Sequence, residues 1–167
     1  EDEAHRFLRS ADINGDAGVD FAEFHKSWGF LNALRIKGHT EGEVLRKPGS
    51  VANGSADFTI DSCTNCVIKI LDCSTQMQVD DCAHATFVLG PCEGSVFVRD
   101  CKDCTFSVAC QQLRTRDCTN CTFYLYSKTE PIIEASRGLS LAPFNASWNG
   151  LRAQFERLGF DPAANLW

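Results

Sequence analysis

A chain of 167 residues matches about one domain and is long enough to bury a core without metal or disulfide support. Sixteen Lys plus Arg against 22 Asp plus Glu leave a formal net charge of −6, which excludes the basic surplus that phosphate backbones attract, so nucleic acid is not an expected partner. Hydrophobic content of 44% with 23% charged residues excludes disorder over most of the chain, and no apolar run approaches the roughly 20 residues that cross a bilayer. Nothing at the start reads as a signal peptide, so a soluble, cytoplasmic protein is expected. Glu1 in place of Met predicts an excised fragment, with membrane contact only through segments outside it.

The first predicted elements are helical. Ala4, Phe7, Leu8 and Ala11 recur at i, i+3, i+4 and i+7, and Phe21, Phe24, Trp28 and Leu31 make a second face at helical spacing. Between them lies a run rich in oxygen side chains. Calcium wants six to eight oxygens, which a 12-residue loop delivers from positions 1, 3, 5, 7, 9 and 12. Those positions hold Asp12, Asn14, Asp16, the Gly18 carbonyl, Asp20 and Glu23. The prediction is an EF-hand helix-loop-helix over residues 1–36 that binds Ca2+. Ala17 stands where the motif wants Gly at positive φ, at a cost on the order of 1 kcal/mol, so the expected site is weak. The other reading is a helix-loop-helix that has kept its shape and lost the metal.

From about residue 37 the helical period stops, and residues 37–42 read as a linker. Beyond it the chain repeats. All ten cysteines fall between Cys63 and Cys121, and the opening cysteine of each copy, Cys63, Cys82, Cys101 and Cys118, follows the last at intervals of 19, 19 and 17 residues. Short alternating segments joined at polar turns with such a period predict a mainly β fold, a parallel β-solenoid over residues 43–167. Cys63/Cys82/Cys101/Cys118, Ile68/Phe87/Phe106/Phe123 and Ile70/Leu89/Val108/Leu125 should form inward ladders. Cysteine suits a crowded corner as a small hydrophobe. A zinc site would need thiolates from two CxxC turns to converge; Ala85 breaks that pattern in the second copy, so no zinc is expected. Trp148, Leu151, Phe155 and Leu158 predict a C-terminal helix, stopped by Gly159, that caps the solenoid.

The candidate chemistry lies where the repeat shortens. Gln111, Gln112, Arg114 and Arg116 put two amides and two guanidiniums on one altered coil. The runs LRKPGS at 45–50, GPCEGSVFVRDC at 90–101, ACQQLRTRDC at 109–118, EPIIE at 130–134, APFN at 142–145 and NLW at 165–167 resemble the cofactor C-like domain, shared by tubulin-binding cofactor C and the X-linked retinitis pigmentosa protein. The resemblance covers about residues 43–167.

That resemblance implies a right-handed β-helix with a C-terminal helix. It implies GTPase activation toward an Arf-like small GTPase in its GTP form, in a tubulin, cytoskeletal or ciliary trafficking setting. The N-terminal hand is not part of either named relative, and calcium modulation through it is expected from the Asp12–Glu23 loop alone. By the family pattern Arg114 is a finger supplied in trans and Gln111 orients it or the GTPase's own elements. Gln112, Arg116 and Glu134 would meet the partner, with Arg116 and Asp117 also pairing to support the loop. Cyclase-associated proteins share the solenoid but lack the glutamine-arginine signature, so actin binding is the poorer analogy. The alternatives are a non-catalytic GTPase- or tubulin-binding scaffold and a tubulin-folding cofactor.

Overall fold

The computed structural model describes residues 34–167; the calcium-loop positions Asp12, Asn14, Asp16, Gly18, Asp20 and Glu23 lie outside the described residues. The strands are β1 (Arg35–Lys37), β2 (Gly42–Arg46), β3 (Phe58–Asp61), β4 (Cys66–Ile70), β5 (Met77–Asp80), β6 (Thr86–Arg99), β7 (Thr105–Arg116), β8 (Thr122–Ser127), β9 (Ile132–Glu134) and β10 (Ser140–Pro143). All of them pair in parallel. One stack runs β1, β3, β5, then the later legs of β6 and β7, then β9. The other runs β2, β4, the early legs of β6 and β7, then β8 and β10. The chain is thus a β-solenoid, each coil laid on the one before.

Alternation decides what faces inward. In β4 the burial pattern reads buried, half-buried, buried, half-buried, buried, the signature of a strand with one face in a core. Ile68, Phe87, Phe106 and Phe123 stand in register and are completely buried. The phenyl rings stack at centroid distances of 4.7 and 4.8 Å, nearly the spacing of adjacent strands, so each coil hands its aromatic directly to the next. Ile70, Leu89, Val108 and Leu125 make the second expected ladder, likewise fully buried.

The cysteines sit where the two stacks meet. Each corner has a residue of positive φ immediately before each of its two cysteine-column positions: Ser62 and Asn65, Asp81 and His84, Asp100 and Asp103, Asp117 and Asn120. Asn and Asp tolerate that region better than most residues, which explains the polar letters between the cysteines. All ten cysteines are free and buried. The thiols of the four opening cysteines donate to the carbonyl two residues back: Cys63 to Asp61 at 3.4 Å, Cys82 to Asp80 at 3.2 Å, Cys101 to Arg99 at 3.3 Å and Cys118 to Arg116 at 3.4 Å. A cysteine here is a compact hydrophobe that also occupies a corner carbonyl. Burial pushes the Cys66 and Cys92 thiols up to about 11 and raises Cys110 well above the ordinary thiol value, so these three stay protonated at neutral pH.

The solenoid begins earlier than its composition indicates. Arg35–Lys37 already pairs with Thr59, Ile60 and Asp61, and residues 37–42, read above as linker, make the first corner. Gly38 at φ 66° and Gly42 at φ 81° give that corner the glycine-rich look of a linker.

At the other end, α1 (Leu151–Arg157) reaches from the coil of Leu71 to that of Tyr126. Gln154 Nε2 donates to the Leu71 carbonyl at 2.9 Å, while Phe155 and Phe160 pack on Tyr126 and Ala109. The cover is lateral, over the side of the stack. Trp148 lies before the helix, its indole N–H bonded to Gln154 Oε1 at 3.0 Å. Asn165 then ties the C-terminal segment down: its Oδ1 accepts from the Ser127 N–H and its Nδ2 donates to the Leu125 carbonyl, both at 2.9 Å.

Candidate functional site

The shortening of the repeat has a local structural origin. Leu89 pairs with Val108 and Cys92 with Cys110, so Gly90 and Pro91 on β6 oppose Ala109 alone. Cys92 pairs with Cys110 and Ser95 with Gln112, so Glu93 and Gly94 oppose Gln111 alone. Each step removes one residue, which accounts for the interval of 17. The glycines of the longer β6 corner are steric requirements. A Cβ on Gly90 would collide with the Asp72 carbonyl, and one on Gly94 would approach the Thr75 carbonyl to 2.7 Å. The side chain of Asp72 is itself buried and accepts the Val51 N–H at 2.8 Å and the Cys73 N–H at 2.9 Å, holding that corner.

Past the tightened corner, the later leg of β7 alternates cleanly. Leu113 and Thr115 are buried, whereas Gln112 and Arg114 are half-buried and Arg116 is exposed. The next coil places Ile132 beside Arg114 and Glu134 beside Arg116. Gln112, Arg114, Arg116 and Glu134 therefore share one outward face. Gln111 is at the corner bordering that face, its carbonyl accepting from the Thr129 N–H at 2.9 Å and the Thr129 hydroxyl at 3.0 Å, its side chain exposed. Arg116 Nε lies 3.5 Å from Asp117 with both side chains about half exposed, a contact that contributes little to stability.

Two outward columns run the length of this face. One is Lys37, Asp61, Asp80, Arg99, Arg116, Glu134. Its members largely neutralise one another. Asp61 lies 2.9 Å from both Arg35 and Lys37, and the Lys37 ammonium, then the Ser62 hydroxyl, hold its carboxyl down to about 2. Asp80 takes Arg99 in a fork, Nε at 2.7 Å and Nη2 at 2.8 Å, while the same Nη2 reaches Gln78 at 3.0 Å. That carboxylate raises Arg99 above the ordinary guanidinium value.

The second column is Arg35, Thr59, Gln78, Phe97, Arg114, Ile132. Here Arg114 has no carboxylate. Its Cζ lies 5.3 Å from the centre of the Phe97 ring, and it makes no hydrogen bond or ion pair among the described residues. An arginine with its donor fork free, on a face whose other cations are engaged, can bind an incoming anion without first breaking a bond. The sequence motif marks Arg114 and leaves Phe97 unmarked. The signal was present: Val96 and Val98 point inward, so the aromatic between them must point out.

Among the described residues no group of three or more His, Cys, Asp or Glu side chains is placed to hold a metal ion. No helix among them is long and apolar enough to cross a membrane. Phe144, Trp148, Leu151, Phe155, Phe160 and Pro162 line a separate groove of about 570 Å³. Its charged pair, Arg152 and Glu156, is joined at 3.0 Å, leaving apolar walls and no evident chemistry.

A family model described as tubulin binding cofactor C matches residues 55–167. "Protein XRP2" of Gallus gallus is 51% identical over 124 residues, covering 74% of this chain and 34% of that protein. "Tubulin-specific chaperone C" of Bos taurus is 31% identical over 147 residues, covering 87% of this chain and 40% of that one. The chain thus spans about a third of the length of the first of these relatives. Among solved structures, "Tubulin Binding Cofactor C from Leishmania major" superposes with a TM-score of 0.50 at 19% identity, covering 75% of this chain and 68% of the other, a likeness of fold.

Proposed function

The chain belongs to the tubulin binding cofactor C family, and on that premise we propose that its solenoid activates GTP hydrolysis by an Arf-like small GTPase, with Arg114 as an arginine finger supplied in trans. One observation carries this reading: Arg114 stands on the outward face with no carboxylate partner, beside Gln112, Arg116 and Glu134. Phosphoryl transfer to water spreads negative charge over the γ-phosphate oxygens and the leaving oxygen. A guanidinium brought in from a second protein stabilises that charge and is worth roughly 10³ to 10⁵ in rate. Its planar fork suits two such oxygens at once.

The neighbouring residues take supporting roles. Gln111, fixed by its backbone at the corner, offers a free amide to orient the finger or the GTPase's own catalytic elements. Glu134 and Arg116 offer opposite charges on adjacent coils, suited to steering and registering a partner. The cellular setting that fits is the cytoplasm, near the cytoskeleton or the base of a cilium or flagellum. Calcium modulation rests on Asp12, Asn14, Asp16, Gly18, Asp20 and Glu23 as ligands of an N-terminal Ca2+ loop.

The test is single-turnover hydrolysis by a panel of GTP-loaded Arf-like proteins, with and without the chain. The wild type should accelerate at least one of them, and Arg114→Ala should remove roughly 10³-fold of that acceleration while binding persists. Running each arm with calcium and with chelator reads out the N-terminal loop. Binding without acceleration would favour the non-catalytic scaffold instead. Capture of tubulin in place of any GTPase would favour a tubulin-folding cofactor, the activity in the name of the bovine relative.

A further inference from the structure

We propose that Phe97 is a positioning residue for Arg114, holding its guanidinium in the orientation a partner's anion meets; this rests on the reading of Arg114 as the finger. Phe97 and Arg114 are register partners on adjacent coils, and the guanidinium carbon lies 5.3 Å from the ring centre. A ring attracts a cation through its face and uses none of the guanidinium's N–H donors, so the fork stays open at its edges. A carboxylate in the same place would hold the arginine more firmly and also occupy the fork that must meet phosphate.

The surroundings are arranged to the same end. The two carboxylates earlier on this face are already engaged, Asp61 by Arg35 and Lys37 and Asp80 by the forked contact to Arg99. Gln78, the register partner of Phe97 on its other side, is engaged by Arg99 as well. The aromatic surface therefore holds the Arg114 guanidinium where no hydrogen bond or ion pair does among the described residues. Without it a long, flexible side chain would have to be ordered during the reaction itself. Pre-ordering of that kind raises the maximal rate and leaves docking untouched.

The experiment uses the GTPase that the wild-type chain accelerates in the panel above. Phe97→Leu keeps an apolar side chain and removes the ring. It should lower the maximal single-turnover rate by about threefold to tenfold, with the half-saturating concentration of the chain changed less than about twofold. Phe97→Tyr keeps a ring face and should stay within about twofold of wild type. In the Arg114→Ala background Phe97→Leu should add nothing, because the group it positions is gone. A merely structural role would lower the melting temperature in proportion to activity, affect both backgrounds equally and leave Tyr no better than Leu; that pattern overturns the proposal. If Arg114→Ala collapses the rate and Phe97→Leu leaves it intact, the role of Phe97 alone is lost. If Arg114→Ala is fully active, or no GTPase responds to the wild type, the finger reading falls and this proposal with it.

Discussion

The earlier and later coils present the same outward face with opposite treatment of charge. On the earlier coils every cation is matched: Arg35 and Lys37 share Asp61, and Arg99 is forked onto Asp80. On the later coils Arg114 rests on a ring and Arg116 lies 3.5 Å from an exposed Asp117. Both regions are built from parallel strands with the same inward ladders, so the contrast is not one of fold. A solenoid needs its interior columns and its corners; the outward positions carry little of its stability. The matched charges are tied up within the face, whereas Arg114 keeps its N–H donors free, as the proposed finger role would require.

Three substitutions test that division, the first inside the stack and the others on its face. Phe106→Ala removes the middle ring of the stacked column and leaves a void between Phe87 and Phe123. It should cost about 3 to 5 kcal/mol in a denaturant titration; a loss below about 1 kcal/mol would mean that the column is not the core. Asp61→Asn should cost at most about 1 kcal/mol at neutral pH. The folded carboxyl is held down to about 2, below its unfolded value near 3.8, so its contribution is present above about pH 4 and is lost as pH falls through about 2. Wild type and variant should therefore converge in acid. Arg114→Ala, on the open part of the face, should change stability by less than about 0.5 kcal/mol. A large loss there would make Arg114 a structural residue and erase the contrast.

Much of this architecture was legible because the repeat writes it many times. The intervals of 19, 19 and 17 gave the coil, and the columns of Phe106 and Val108 were read in the register the structure has. Arg114 and Glu134 came from a run of motifs, and the fold does set them on adjacent strands. What stayed hidden involves single events. Gly38 and Gly42 make one corner that lacks cysteines, so nothing marked it as a coil. The helix Leu151–Arg157 shows an apolar face, yet its partners Tyr126 and Ala109 lie far away in sequence, and only packing reveals that it covers a flank. The contact between Phe97 and Arg114 needed the register of two coils to be known to the residue.

The buried corner thiols also give each coil a chemical clock. Cys63 and Cys66 report on the coil of β3 and β4, Cys82 on that of β5 and β6, Cys101 and Cys104 on that of β6 and β7, Cys118 and Cys121 on that of β7 and β8, and all are shut away from solvent in the native state. In a stack where each coil touches only its neighbours, opening proceeds from the ends or from a weakened interface. A brief pulse of an alkylating reagent followed by peptide mapping would date the exposure of each pair separately. The order in which coils come apart is thereby written in the wild-type sequence itself, with no label added.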